Sequence, residues 1–250
     1  MPRQELLNNL SHQDLKVIPE FSAELGDNIA STLTFITEFA EVQKEYPILF
    51  RRDSDTGDFQ AVVLFGIVKD ENLFLTGEKN AFQKFPGWNA NYIPAVIARG
   101  PFSIVYNKQI QNGEETIVPM INVDMDHPKI STTTGINVFL DQGGNSPYLD
   151  KISEILNIIR DGIDLNKSMF ELFNKYELVE SVNIDIDLIN QDKHQLNGFF
   201  TINAEKLNTL SGDALKMLSH AGFLQAAYMV IASLSNIKKL IDLKNMQFKR

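Results

Sequence analysis

The chain has 250 residues, 44% apolar and 22% charged, enough to bury one large core or two smaller ones and without the polar bias of a disordered chain. It has no cysteine, which excludes a disulfide framework, a thiolate zinc site, an iron–sulfur cluster and a cysteine nucleophile, and fits a reducing compartment. A net charge of −9 and a pI near 5.0 argue against general nucleic-acid binding, which needs clustered Lys and Arg to neutralise phosphates.

The segment Met1 to Leu10 carries a basic residue but no uninterrupted apolar region and no small-residue cleavage site, so it does not read as a secretory signal. A cytoplasmic location is the expectation. The first twenty or so residues have few aromatics and no sustained period, and are expected to form a loose or extended arm. Ser31 to Ile36 is β-prone, with Leu33 and Phe35 alternating, and Thr37 is placed to cap a short helix through Tyr46, ended by Pro47.

Asp53 to Asp58 is a turn signal, and Phe59 to Val68 after it is rich in β-branched and aromatic residues, which together predict a hairpin. Leu73 to Leu75, Phe102 to Tyr106 and Thr116 to Val123 read as further strands, with Asn112-Gly113 as the turn between the last two.

At Gly143-Gly144-Asn145-Ser146-Pro147 the texture changes. Ser146 suits an N-cap and Pro147 the first helical position, and Leu149, Ile152, Leu156 and Ile159 follow at helical spacing. Asn166 or Ser168 is placed to cap a second helix carrying Phe170, Phe173 and Tyr176. Val182, Ile184, Ile186 and Leu188 then alternate with polar residues, predicting a hairpin whose return strand is Gln195 to Ile202.

Leu207, Leu210, Leu215 and Leu218 continue at helical spacing to Gly222, which marks a break, a bend or a tight helix crossing. Phe223 to Leu234, the most apolar stretch, spans about twelve residues against the roughly 20 a membrane-spanning helix needs. It predicts a core helix buried on most of its circumference. The cluster Lys238, Lys239, Lys244, Lys249 and Arg250 sits where cations complement a helix C-terminus. The fold class is therefore α+β. Residues 1–142 form a mainly β-rich region with short helices and 143–250 a helical region with a hairpin, either as two domains or as one continuous domain.

The stretches Phe39 to Ile48 and Gly87-Trp88-Asn89-Ala90-Asn91-Tyr92-Ile93-Pro94-Ala95, continuing to Pro101-Phe102, resemble the SapC-like bacterial family. Gly198 to Ile202, Leu207, Leu210, Gly222-Phe223-Leu224, Tyr228 and Ser233 to Ile237 fit the same pattern, so the resemblance covers most of the chain. The family takes its name from an association with surface-layer genes, and no reaction comes with it. Related proteins are often encoded near outer-membrane receptors, cupin-like proteins and halogenase-like flavoproteins. The resemblance therefore implies an accessory or binding role in an envelope-linked, nutrient-uptake or peptide-modification system. Similar sequences tend to carry two adjacent basic residues before the Pro-Phe pair, where this chain has Ala98-Arg99-Gly100.

Strong catalytic motifs are missing. No G-x-S-x-G elbow occurs, Ser219-His220 has no visible acid partner, and Gly143-Gly144-Asn145 lacks the G-x-G-x-x-G or P-loop context of a nucleotide site. His12, His194 and His220 stand alone, and a lone histidine is a weak signal. Two candidate constellations remain. Trp88, Tyr92 and Arg99 are residue types that anchor binding surfaces, and on a helix Tyr92 and Arg99 share a face, with a protein or peptide as the expected partner; equally, the two aromatics can plug the core and Arg99 can cap the helix. The alternative is a metal- or cofactor-dependent enzyme at Asp124, Asp126 and His127, where strand alternation places both carboxylates on one face. The short spacing is equally that of a strand ending in a turn, so no metal or other cofactor is assigned.

Overall fold

The computed structural model of the protein describes residues 3–76, 84–111 and 114–249. In chain order its first strands are β1 (Gln4–Leu6), β2 (Lys16–Val17), β3 (Ser31–Leu33), β4 (Ile48–Arg52) and β5 (Phe59–Leu64). They are followed by β6 (Phe102–Gln111), β7 (Glu114–Asp124), β8 (Ile130–Ser131), β9 (Ile136–Asn137), β10 (Val179–Asp187) and β11 (Lys193–Ile202). The helices are α1 (Phe39–Val42), α2 (Ala95–Ala98), α3 (Pro147–Lys175), α4 (Ala204–Asn208), α5 (Gly212–His220), α6 (Phe223–Ser233) and α7 (Ile237–Gln247). The fold is α+β, as the periodicities predict. The Asn112-Gly113 turn and Arg250 lie outside the described residues.

Among the described residues all strand pairing is antiparallel. A five-stranded sheet runs β10-β11-β4-β5-β3, and two three-stranded sheets run β1-β7-β6 and β8-β2-β9. The predicted hairpin after α3 is β10–β11, with alternating burial along β10 that puts Ile186 inside and Asp185 and Asp187 in water. Because β11 pairs with β4 through Phe200 and Phe50, strands from both sides of Gly143 share one sheet. The N-terminal arm is integrated too: β1 pairs with the end of β7, and Leu15 and Val17 are buried.

Two apolar clusters fill the interior. The larger gathers Trp88, Phe50, Phe65, Phe173, Leu218 and Val230, and the smaller Leu15, Phe102, Val123, Leu149, Ile152 and Leu156. Helix α3 serves both, at about 43 Å for its 29 residues at 1.5 Å per residue. It buries Leu149, Ile152 and Leu156 in the smaller cluster, then Met169, Phe170 and Phe173 in the larger. Between them sits Gly162, where a Cβ would stand 2.4 Å from the Phe35 Cβ, so only a glycine permits this approach of α3 to the chain after β3.

Ser146 caps α3 as predicted, its side chain accepting from the Leu149 amide, with Pro147 in the first turn. The second helix expected from a cap at Asn166 or Ser168 does not exist separately, because α3 runs through both. Asn166 is buried inside it and uses its amide across the fold: Oδ1 accepts from the Ile36 amide at 2.8 Å and Nδ2 donates to the Thr34 carbonyl at 3.0 Å. Thr37 does not cap a helix either; its hydroxyl donates to the Ile158 carbonyl.

Gly222, at φ +77°, separates α5 from α6. Helix α6 is less enclosed than its composition predicts. Phe223, Ala226, Ala227, Val230 and Ser233 are buried on one stripe, while Tyr228 is 49% exposed and Ile231 only half-buried, so among the described residues the outer face is left partly uncovered. The basic residues at the C-terminus form ion pairs: Lys239 with Glu45, Lys244 with Glu71 and Lys238 with Asp242. Among the described residues no single helix is long and apolar enough to cross a membrane. Helices α5 and α6–α7 pass that test only as a pair bent by 90°.

Candidate functional site

The chain from Trp88 to Phe102 holds the three residues marked out as a binding constellation, and the structure sends them to different places. Trp88 is 1% exposed, packed edge-on against Phe21 and Phe65 and stacked on Phe74. Its Nε1 donates to the Tyr46 hydroxyl at 2.8 Å, and that hydroxyl donates to the Tyr92 carbonyl. Burial in an aromatic cluster places the indole in the core, the second of the two readings of Trp88.

Tyr92 is half-buried, and its hydroxyl donates to Glu38 Oε2 at 2.8 Å. Burial, reinforced by the Glu38 carboxylate, pushes the phenol far above its ordinary pKa, so it stays protonated and keeps the proton it donates to Glu38. Glu38 is 3% exposed and collects further donors from the Thr34 hydroxyl at 2.9 Å and the Ala95 amide at 2.8 Å. Burial nevertheless raises its pKa. The carboxylate therefore pins the chain entering α2. The helix expected from Tyr92 to Arg99 shrinks to Ala95–Ala98, since Pro94 is held extended at ψ 141° and begins the helix rather than continuing one.

Arg99 closes α2, and Gly100 at φ +54° turns the chain into β6. The half-buried Arg99 guanidinium lines a cavity of about 250 Å³ at the junction of α2, the ends of β1 and β7, and the chain leading into β3. Its hydrogen-bond partner is the Phe102 carbonyl, and among the described residues no carboxylate pairs with it. Burial lowers its pKa without displacing it from the charged form.

Across the cavity Lys129, 4% exposed, donates to Asp27 Oδ1 at 2.9 Å. Its ammonium also lies 3.9 Å from the centre of the Phe21 ring. Asp27 Oδ2 accepts from the Ser22 amide. Burial raises the Asp27 pKa and lowers that of Lys129, each against the pull of its partner.

The carboxylates and imidazole of the alternative constellation divide as well. Asp124 and His127 line the cavity, whereas Asp126 points away, its Oδ2 accepting from the Arg3 amide at 2.9 Å. Alternation puts Asp124 and Asp126 on one face only if the strand continues; β7 ends at Asp124 and the chain turns, with the His127 amide donating to the Asp124 carbonyl. Among the described residues no three His, Cys, Asp or Glu side chains are grouped to hold a metal. His127 Nδ1 accepts from the Lys129 amide at 3.1 Å, so the neutral ring carries its proton on Nε2. Burial, helped by Lys129, holds the imidazole below its ordinary pKa despite Asp124.

Asp27, Lys129 and Glu38 escaped the sequence reading. Asp27 and Lys129 lie 102 residues apart, and nothing in the Leu25-Gly26-Asp27-Asn28 turn or in Pro128-Lys129 distinguishes them from surface charges.

Fold and cavity together define an antiparallel α+β protein with a small polar cavity where its sheets meet. The chain belongs to the SapC family, whose model matches residues 7–240. No curated protein and no solved structure matches it.

Proposed function

We propose that this SapC-family protein is an accessory binding protein that holds a small carboxylate-bearing ligand in the Arg99 cavity. The observation that carries the reading is the Arg99 guanidinium itself, drawn out of bulk water beside the buried Lys129 and partnered, among the described residues, only by a main-chain carbonyl. A planar guanidinium in that state is matched by a carboxylate, which accepts two parallel hydrogen bonds from it. The cavity, at about 250 Å³, is below the roughly 300–1,000 Å³ range of drug-sized pockets, so the ligand is a small metabolite or the terminus of a peptide. A cytoplasmic location and an envelope-linked or nutrient-uptake setting belong to the same proposal, supported by the cysteine-free composition and the family resemblance.

Isothermal titration of the full chain with 4-methylpentanoate and with its neutral amide tests this. The carboxylate is expected to bind and the amide to bind at least tenfold more weakly, with Arg99→Ala abolishing the difference. Equal binding of acid and amide, or an unchanged preference in the folded Arg99→Ala protein, would overturn the reading.

A further inference from the structure

Arg99 is not the only unsatisfied charge in the cavity. Asp124 lines the same space, half-buried, with Oδ1 accepting from the Asp126 amide at 3.1 Å, and among the described residues no cationic side chain pairs with it. Hydrogen bonds to neighbouring carbonyls bring the two residues to one corner. The Asp124 amide donates to the Pro101 carbonyl at 2.9 Å, and the Arg99 guanidinium donates to the Phe102 carbonyl. They face one cavity without forming an ion pair.

The charges lining the cavity also balance. Arg99 and Lys129 are cationic, Asp27 and Asp124 anionic, and His127 is neutral with its proton on Nε2. A simple anion would satisfy Arg99 and leave Asp124 unpaired in a partly desolvated site, which costs free energy. A ligand with one charge of each sign would satisfy both.

We propose, resting on the carboxylate reading of Arg99, that the cavity selects a zwitterion of the α-amino-acid class, with Arg99 taking the carboxylate and Asp124 the ammonium group. Ile29, Val96, Ile97 and Pro101 supply an apolar wall beside the two charges, which suits an aliphatic side chain. Hydrogen bonds between charged groups in such a site discriminate steeply, because removing the ligand's ammonium leaves the Asp124 carboxylate desolvated and without a cation. Thr32 and Ser103 line the same cavity, and a hydroxyl is able to accept from an ammonium proton.

The test is isothermal titration of the full chain with two matched pairs: L-leucine against 4-methylpentanoate, and L-alanine against propionate. Each amino acid is expected to bind at least tenfold more tightly than its des-amino counterpart. Asp124→Asn, which keeps the acceptor for the Asp126 amide, should bring the amino acids down to the affinity of the acids while leaving the acids unchanged or tighter. If the acids bind wild type as well as the amino acids do, the zwitterion proposal fails and the carboxylate reading stands. If the preference survives in Asp124→Asn, the ammonium is held elsewhere and the proposal fails. If neither class binds wild type, both readings fail together.

Discussion

Trp88 and Arg99 belong to one short stretch of chain and both are residue types that dominate binding surfaces, yet the protein uses them in opposite ways. The indole is closed over by Phe21, Phe65 and Phe74 and spends its single donor on Tyr46. The guanidinium stands in a cavity with charges around it and, among the described residues, no carboxylate bound to it. Glu38 is the divider, since its bonds to Tyr92 and Ala95 fix the point where the chain leaves the aromatic core and starts towards the cavity. Residue type sets what a side chain is able to do; the elements that arrive from elsewhere in the chain decide whether it does so against a ligand or against the core.

The sharpest way to break this comparison is at the aromatic end. Trp88→Ala removes the largest fully buried side chain and leaves the Tyr46 hydroxyl without its donor, and is expected to cost about 3–5 kcal/mol. Against a total stability of roughly 5–15 kcal/mol, urea unfolding should show a large fall in midpoint. A loss below about 1 kcal/mol, the scale of an ordinary surface change, would mean that the indole is not part of the core.

The buried pair beside the cavity comes next. Lys129→Met strands the Asp27 carboxylate, which keeps only the Ser22 amide, and should cost about 3 kcal/mol. Adding Asp27→Asn removes the stranded charge, so the double variant is expected to recover most of that loss. A thermodynamic cycle with no coupling between the two positions would show that the pair is not held in a desolvated site.

Much of the scaffold was legible because it obeys local rules. Ser146 and Pro147 start α3 by capping chemistry, Val182 to Ile202 form a hairpin by alternation, and Gly222 breaks α5 from α6 at a positive φ. The continuity of α3 was not legible, because Asn166 carries the same side chain whether it caps a helix or, as here, bridges to Thr34 and Ile36 from inside one. The exposed side of α6 was hidden for a related reason: an all-apolar segment states what a helix could bury, not what is available to cover it. At the site, Arg99 was visible as a residue type next to Pro101-Phe102. The Asp27–Lys129 pair and the separation of Asp126 from Asp124 were not, since both depend on long-range pairing and on where β7 stops.

The smallest expected effect tests Glu38 as the divider. Burial raises its pKa above the ordinary value of 4.5, so the folded chain binds this proton more tightly than the unfolded chain does. Between the ordinary value and the raised one the native state therefore carries more protons than the unfolded state, and this group makes stability fall as pH rises. Glu38→Gln keeps an acceptor for the Ala95 amide but has no proton to lose. The stability of the variant minus that of wild type should thus rise with pH through that window and level off above it. The slope is bounded by about 1.4 kcal/mol per pH unit, the limit for one proton. Asp27 and His127, whose pKa values are also displaced, are present in both proteins and cancel from the difference. Urea unfolding at a series of pH values measures it. A flat difference would mean that Glu38 is as free to ionise in the folded chain as in the unfolded one, and a falling difference would mean that its hydrogen bonds outweigh its burial. In either case the carboxylate would no longer be the strained anchor from which Arg99 is aimed.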